Sequence, residues 1–233
     1  RIAAAVARVV PEGVFRALVL MGGYGRGEGG YRLVAGRPEP YNDYDYFVVA
    51  RGLGRPEMAA LAPSLAATAH GLRAEVGVEV DFALLREEAL SQAEFSLMNA
   101  EMLWGHKVIG GDPDILRAMP PMPFQRLPPG EIVRLLLNRG SLLLMNQQAL
   151  VAGATLAGED KERFFKYLFK AVLACGDARL AGNGCYHPSY PAKFERLRRL
   201  SWPGQAEFLA IYEQALATKF HPEYGPYLAA DAL

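Results

Sequence analysis

RALVLMGGYGRGEGGYRLVAGRPEPYNDYDYFVVA, residues 16–50, is the stretch whose reading decides the fold. Ala17 to Met21 is a short apolar run, the pattern of a buried strand. It stops at Gly22-Gly23, and four further glycines follow at 25, 27, 29 and 30. Such a run lets backbone N–H groups approach and point at an anion such as a phosphate. Asp43 and Asp45 flank Tyr44 and lead into Tyr46-Phe47-Val48-Val49, a second strand. Residues two apart on a strand share a face, so the two carboxylates point the same way. Their repulsion is relieved by a hard cation with oxygen ligands, typically Mg²⁺ holding a nucleotide's phosphates.

A third carboxylate continues the pattern. Val76 to Leu85 reads VGVEVDFALL, with Val78, Val80 and Phe82 alternating against Glu79, Asp81 and Ala83. Asp81 is therefore expected in the middle of a strand beside that of Asp43 and Asp45. A strand, a Gly-Gly turn, an Asp-x-Asp strand and a later lone Asp together resemble the DNA polymerase β-like nucleotidyltransferase superfamily. Gly-Tyr-Gly-Arg-Gly at 23–27 is similar to the glycine motif of its minimal members. The segment Gly105-His-Lys-Val-Ile-Gly-Gly-Asp112 resembles the last strand of its small-molecule members.

The resemblance covers residues 15–112 and implies a fold, a reaction and a site. The fold is α+β: a nucleotidyltransferase-type mixed sheet flanked by helices, followed by a C-terminal helical domain. The reaction transfers a nucleoside monophosphate, AMP from ATP in the first instance, to a hydroxyl of a small molecule or protein, with release of pyrophosphate. Asp43, Asp45 and Asp81 become the metal ligands for two Mg²⁺ ions, or Mn²⁺ in their place. Asp81 also activates the acceptor hydroxyl. Gly22, Gly23, Tyr24 and Arg26 become nucleotide contacts. Two other function classes stay open: a nucleotide-binding or toxin–antitoxin-type partner acting by association, and an RNA-directed nucleotidyltransferase.

One departure stands out. Nineteen residues separate Gly23 from Asp43, longer than is usual for the family. The segment 28–42, with two prolines and three glycines, is expected to be an inserted loop. A rival reading takes Gly25-x-Gly27-x-x-Gly30 as a dinucleotide-binding fingerprint. That motif needs a helix directly after the glycines, and Gly36, Pro38 and Pro40 leave too little room. It also needs its acidic residue at a strand end, whereas Asp43 and Asp45 stand at a strand start.

Composition narrows the partners. Lys+Arg and Asp+Glu each number 25, so the formal net charge is zero, which argues against a long nucleic acid. Cys175 and Cys185 lack a metal-ligand pattern and suit a reducing compartment, so a cytoplasmic location is expected. No apolar run approaches membrane-spanning length, and no membrane partner is expected. The sequence starts at Arg1 rather than methionine, so it is expected to begin inside a longer chain. Oligomeric state is left open.

Helices are expected over 2–10, over 57–72 with a kink or break at Pro63, and over 87–104 with Glu94 and Glu101 in a solvated acidic stripe. Met119 to Gly130 carries five prolines and divides a catalytic domain, 1–118, from a helical domain, 131–233. The helical part is expected over 131–150, 160–180, 194–200 and 203–216, with a loop at 185–193 and a surface tail from Phe220. In 160–180, Phe164, Leu168, Ala171 and Cys175 are expected to form the apolar stripe, with Arg163, Lys166, Lys170 and Asp177 opposite. Lys166 and Lys170 are therefore added as candidate triphosphate contacts, and the acceptor is expected in a cleft between the two halves.

Overall fold

Ala17 to Leu20 carries no polar side chain, and in the computed structural model all four residues are buried in a four-stranded mixed sheet. The structure describes residues 1–153 and 156–228. They fall into two compact units that divide between Met122 and Pro123, and the class is α+β.

The first unit begins with helix α1 (Ile2–Val9) and strand β1 (Phe15–Leu20). A single helical turn, α2 (Gly22–Gly25), follows, then strands β2 (Tyr31–Val34), β3 (Arg37–Pro40) and β4 (Tyr44–Ala50). Helix α3 (Arg55–Val76), strand β5 (Val80–Arg86), helix α4 (Leu97–Trp104) and strand β6 (Lys107–Gly111) complete it. The sheet order is β5-β4-β1-β6. Strands β4 and β5 are parallel, joined by the α3 crossover that a parallel pair requires, while β1 runs antiparallel to both β4 and β6. Consequently the end of β1 and the starts of β4, β5 and β6 share one sheet edge.

Alternation divides the buried residues between two faces. Leu18, Leu20, Tyr46, Val48 and Val80 pack with Val6 and Val10 of the amino-terminal segment and with Leu65, Ala69 and Leu72 of α3. Ala17, Val19, Phe47 and Val49, of opposite parity, are equally buried. With both faces covered, β1 and β4 read as continuous apolar runs rather than alternating ones.

Several expectations need correction. Segment 28–42 is not a loop but contains the two-stranded ribbon β2–β3, closed by Ala35 (φ 50°) and Gly36 (φ 78°). Two positive φ values between paired Val34 and Arg37 make the two-residue turn whose twist suits a hairpin. Helix α3 runs through Pro63 as one element, because Pro63 lies on its exposed side, where water can solvate the carbonyl left without a donor. The helix expected over 87–104 is two pieces: a 3₁₀ segment, Glu87–Gln92, and α4. Ser96 separates them by capping α4, its hydroxyl accepting from the Asn99 amide at 3.1 Å.

Gly111 shows how tightly β6 is held. Its φ is +84°, and a Cβ there would lie 2.1 Å from the Arg16 carbonyl oxygen. Gly111→Ala is therefore expected to destabilise the first unit by at least about 2 kcal/mol, since strain and a backbone clash act together. Urea unfolding monitored on the first unit checks this, and a loss below about 0.5 kcal/mol would contradict the packing of β6 on β1.

The second unit is helical: α5 (Pro129–Val151), α6 (Gly158–Gly182), α7 (Tyr190–Arg199), α8 (Gln205–Phe220) and the short turn α9 (Gly225–Leu228). Its core runs along α6 through Phe165, Phe169, Leu173, Gly176 and Leu180, with Tyr212 of α8 pressed against Gly176. The stripe through Phe164, Leu168 and Cys175 is thus displaced by about one residue, and Leu168 and Cys175 are exposed. Asp177, expected on a cationic outer face, is buried and bonded to buried Lys193 at 2.8 Å. Tyr190 starts α7 inside the segment expected as a loop, with Pro191 in its first turn. Tyr224 of the tail is buried and Tyr227 lies against Phe165 and Phe169; residues 229–233 of that stretch lie outside the described residues.

Candidate metal centre

Asp43, Asp45 and Asp81 meet at the shared sheet edge. One carboxylate oxygen from each lies within 4.8 Å of the others. Asp45 and Asp81 are register partners at the starts of parallel β4 and β5, so adjacent strands present them side by side. Asp43 immediately precedes β4, and Asp81 is the second residue of β5 rather than its middle. The backbone sets this register: the Tyr44 amide donates to the Glu79 carbonyl at 2.8 Å, and the Met21 amide donates to the Asp45 carbonyl at 2.9 Å. Asp43 and Asp81 are exposed and Asp45 is half-buried. Glu79, the neighbouring carboxylate on the same segment, is bonded to Arg73 at 2.7 Å and is not part of the cluster.

The glycine turn abuts these carboxylates. Gly22 has φ +63°, and a Cβ on it would fall 2.8 Å from Asp45 Oδ2. A side chain there would strain the backbone and push the Asp45 carboxylate aside. The first N–H groups of a helical turn, here those of Gly22 and Gly23 in α2, have no acceptor inside it.

Two expected nucleotide contacts have other work. The Arg26 side chain is only 6% exposed; its Nη1 bonds Glu101 at 3.1 Å and its Nε lies 3.9 Å from Glu28. The guanidinium expected at a phosphate instead ties the glycine turn to α4, and Glu101 is a buttress rather than part of a solvated stripe. Tyr24 Oη donates to the Gly30 carbonyl at 2.6 Å and accepts from the amides of Tyr41 at 3.0 Å and Asn42 at 3.3 Å. Those bonds fasten both feet of the β2–β3 ribbon, one of them directly before Asp43. Neither role has a local sequence signal, because each depends on partners remote in the chain.

An aromatic row runs behind the carboxylates: Tyr24 to Tyr44 at 4.5 Å, Tyr44 to Tyr46 at 6.2 Å and Tyr46 to Phe82 at 5.8 Å between ring centroids. Burial, with Tyr24 alongside, raises the Tyr44 hydroxyl above its ordinary value. Burial and Tyr44 push Tyr46 up to about 12. Both hydroxyls stay protonated near neutrality, so neither serves as a base there. Lys166 and Lys170 are half-buried on α6 of the second unit.

No family model matches the chain, and no curated protein matches its sequence. Among the described residues no helix is long and apolar enough to cross a membrane.

Proposed function

We propose that the first unit is a divalent-metal-dependent nucleotidyltransferase of the DNA polymerase β-like type, which moves a nucleoside monophosphate from a triphosphate, ATP as the expected donor, onto a hydroxyl of a small molecule or protein. The convergence of Asp43, Asp45 and Asp81 beside Gly22 carries this reading. The donor set fits the group it calls for: three carboxylates this close repel one another, and all-oxygen ligation suits Mg²⁺, or Mn²⁺ in its place. Asp43 and Asp45 would hold two ions, with Asp81 as a further ligand. When bound, such ions neutralise phosphate charge and ease deprotonation of the attacking hydroxyl.

The remaining steps belong to the chain. Gly22 and Gly23 offer N–H groups to the triphosphate next to Asp45, where no side chain intervenes. Asp81 takes the acceptor's proton as its oxygen bonds to the α-phosphorus. The bond from that phosphorus to the bridging oxygen breaks, and pyrophosphate leaves with the electron pair. Arg26 and Glu101 hold the glycine turn in place, and Tyr24 holds the approach to Asp43, so all three act by positioning.

Incubating the protein with Mg²⁺ and each labelled triphosphate, against cell extract and separated small-molecule and protein fractions, tests the activity. Label should pass to an acceptor with wild type and not with Asp45→Asn. Saturable Mg-triphosphate binding without any transfer would favour a partner that acts by association. Neither binding nor transfer would sink both readings.

The acceptor class has its own test. The formal net charge is zero, so the counterion release that drives binding to nucleic-acid phosphates has little to draw on. Labelled single-stranded RNA and DNA are expected to show no appreciable binding by fluorescence anisotropy near physiological salt. Micromolar or tighter binding with a steep salt slope would put an RNA acceptor first.

A further inference from the structure

The β2–β3 ribbon is rooted in the glycine turn and returns directly into Asp43. Tyr24 Oη donates to the Gly30 carbonyl and accepts from the amides of Tyr41 and Asn42, which ties down both feet. The Glu28 amide donates to the Gly23 carbonyl at 2.7 Å, and a Cβ on Gly29 would overlap the Tyr24 ring. Most of β2 and β3 is exposed, Leu33 at 68% and Val34 at 47%. Arg32 departs from this. It is half-buried between exposed Tyr31 and Leu33, because successive strand residues face opposite ways and its way leads to Tyr41. The guanidinium carbon of Arg32 lies 4.1 Å from the centroid of the Tyr41 ring, a cation–π contact. Asp43 follows Tyr41 by two residues, at most about 7 Å along the backbone.

We propose that Arg32 is the guanidinium that binds the triphosphate beside the three carboxylates, with Tyr41 as the platform that orients it; this assignment rests on the nucleotidyltransferase reading above. Three observations lead to it. First, Arg26, where the phosphate contact is expected from the sequence, has a 6% exposed side chain tied to Glu101 and Glu28, so its charge is neutralised inside the fold. Second, Tyr41 holds the Arg32 guanidinium by its face. The five N–H donors lie in the guanidinium plane and point outward from its rim, the geometry that forks onto a phosphate. Five donors exceed what one carboxylate accepts, so a phosphate can be taken up alongside a protein partner. Third, the ribbon starts at the turn whose Gly22 and Gly23 amides face the phosphates and ends at Asp43, so Arg32 is carried by both halves of the site.

Calorimetric titration of the full chain with Mg-ATP and with magnesium tripolyphosphate tests this. Arg32→Ala should weaken both about tenfold to a hundredfold, the range for a lost charge-assisted hydrogen bond, and Arg32→Lys should weaken them less. Arg37→Ala, on exposed β3, should change neither. Mn²⁺ alone should bind Arg32→Ala as tightly as wild type or more tightly, because removing a cation beside carboxylates favours a divalent ion. A purely structural strut predicts the reverse: a loosened ribbon displaces Asp43, and Mn²⁺ and triphosphate affinity fall together. That result overturns the proposal. Weaker Mg-ATP binding with unchanged tripolyphosphate binding moves Arg32 to the nucleoside and also overturns it. Wild-type affinity for both ligands in Arg32→Ala overturns it while leaving the nucleotidyltransferase reading intact. A wild-type chain that binds neither ligand removes both.

Discussion

Asp45→Asn is expected to slow nucleotidyl transfer at least about a thousandfold, the equivalent of roughly 4 kcal/mol of transition-state stabilisation. Asp45 touches each part of the site: it is register partner to Asp81, it shares a cluster with Asp43, and its Oδ2 lies against Gly22. Asparagine keeps that shape and removes the charge that would hold a divalent ion. Calorimetric titration with Mg-ATP should show weakened binding for Asp45→Asn and for Asp43→Asn. Asp81→Asn, whose role includes the acceptor's proton, should lose about a hundredfold in rate with a smaller loss in binding.

A stability measurement gives the same prediction a second readout. Three carboxylates within 4.8 Å disfavour the folded state when no cation is bound. Without Mg²⁺, Asp45→Asn should therefore unfold at the same temperature as wild type or higher. Adding Mg-ATP should raise wild-type stability by linkage and raise that of the variant less. Wild-type affinity in both Asp43→Asn and Asp45→Asn would remove the metal assignment altogether.

Strand-borne carboxylates were legible because strand alternation is a local property: Tyr46 to Val49 and Val76 to Leu85 read as strand segments from their residues alone. What brings Asp81 next to Asp45 is the parallel register of β4 and β5, set through the α3 crossover and invisible to a window of ten residues. The ribbon at 31–40 was missed because Pro38 and Pro40 argue against a strand. A two-stranded ribbon has two edges, and proline is tolerated on an edge. In α6 two apolar stripes run side by side, through Phe164 and Leu168 and through Phe165 and Phe169. Periodicity finds both, and only packing against Leu197 and Tyr212 decides which is buried. Arg26 and Asp177 share a lesson. A charged residue reads as solvated or ligand-binding until its partner appears, and the partners here, Glu101 and Lys193, stand 75 and 16 residues away.

The Asp177–Lys193 pair is expected to have the largest effect on the fold. Lys193 is 1% exposed and Asp177 6%, with Nζ and Oδ1 2.8 Å apart and the ammonium 4.6 Å from the Tyr186 ring centroid and 4.5 Å from that of Tyr190. Lys193→Met strands a carboxylate beneath α7, and Asp177→Leu strands an ammonium among aromatic rings. Each should cost about 3–5 kcal/mol, because the charge left behind has lost both water and its counter-charge. The double variant should recover most of that loss, since two apolar side chains of similar size leave nothing to desolvate. The signature is therefore a coupling energy, with the double variant far more stable than the sum of the singles implies. Urea unfolding of all four proteins, followed by exchange protection of amides in α6 and α7, measures it on the helical unit itself. Single substitutions that each cost less than about 1 kcal/mol, or costs that simply add, would mean that the tyrosines and water, rather than the ion pair, hold α7 against α6.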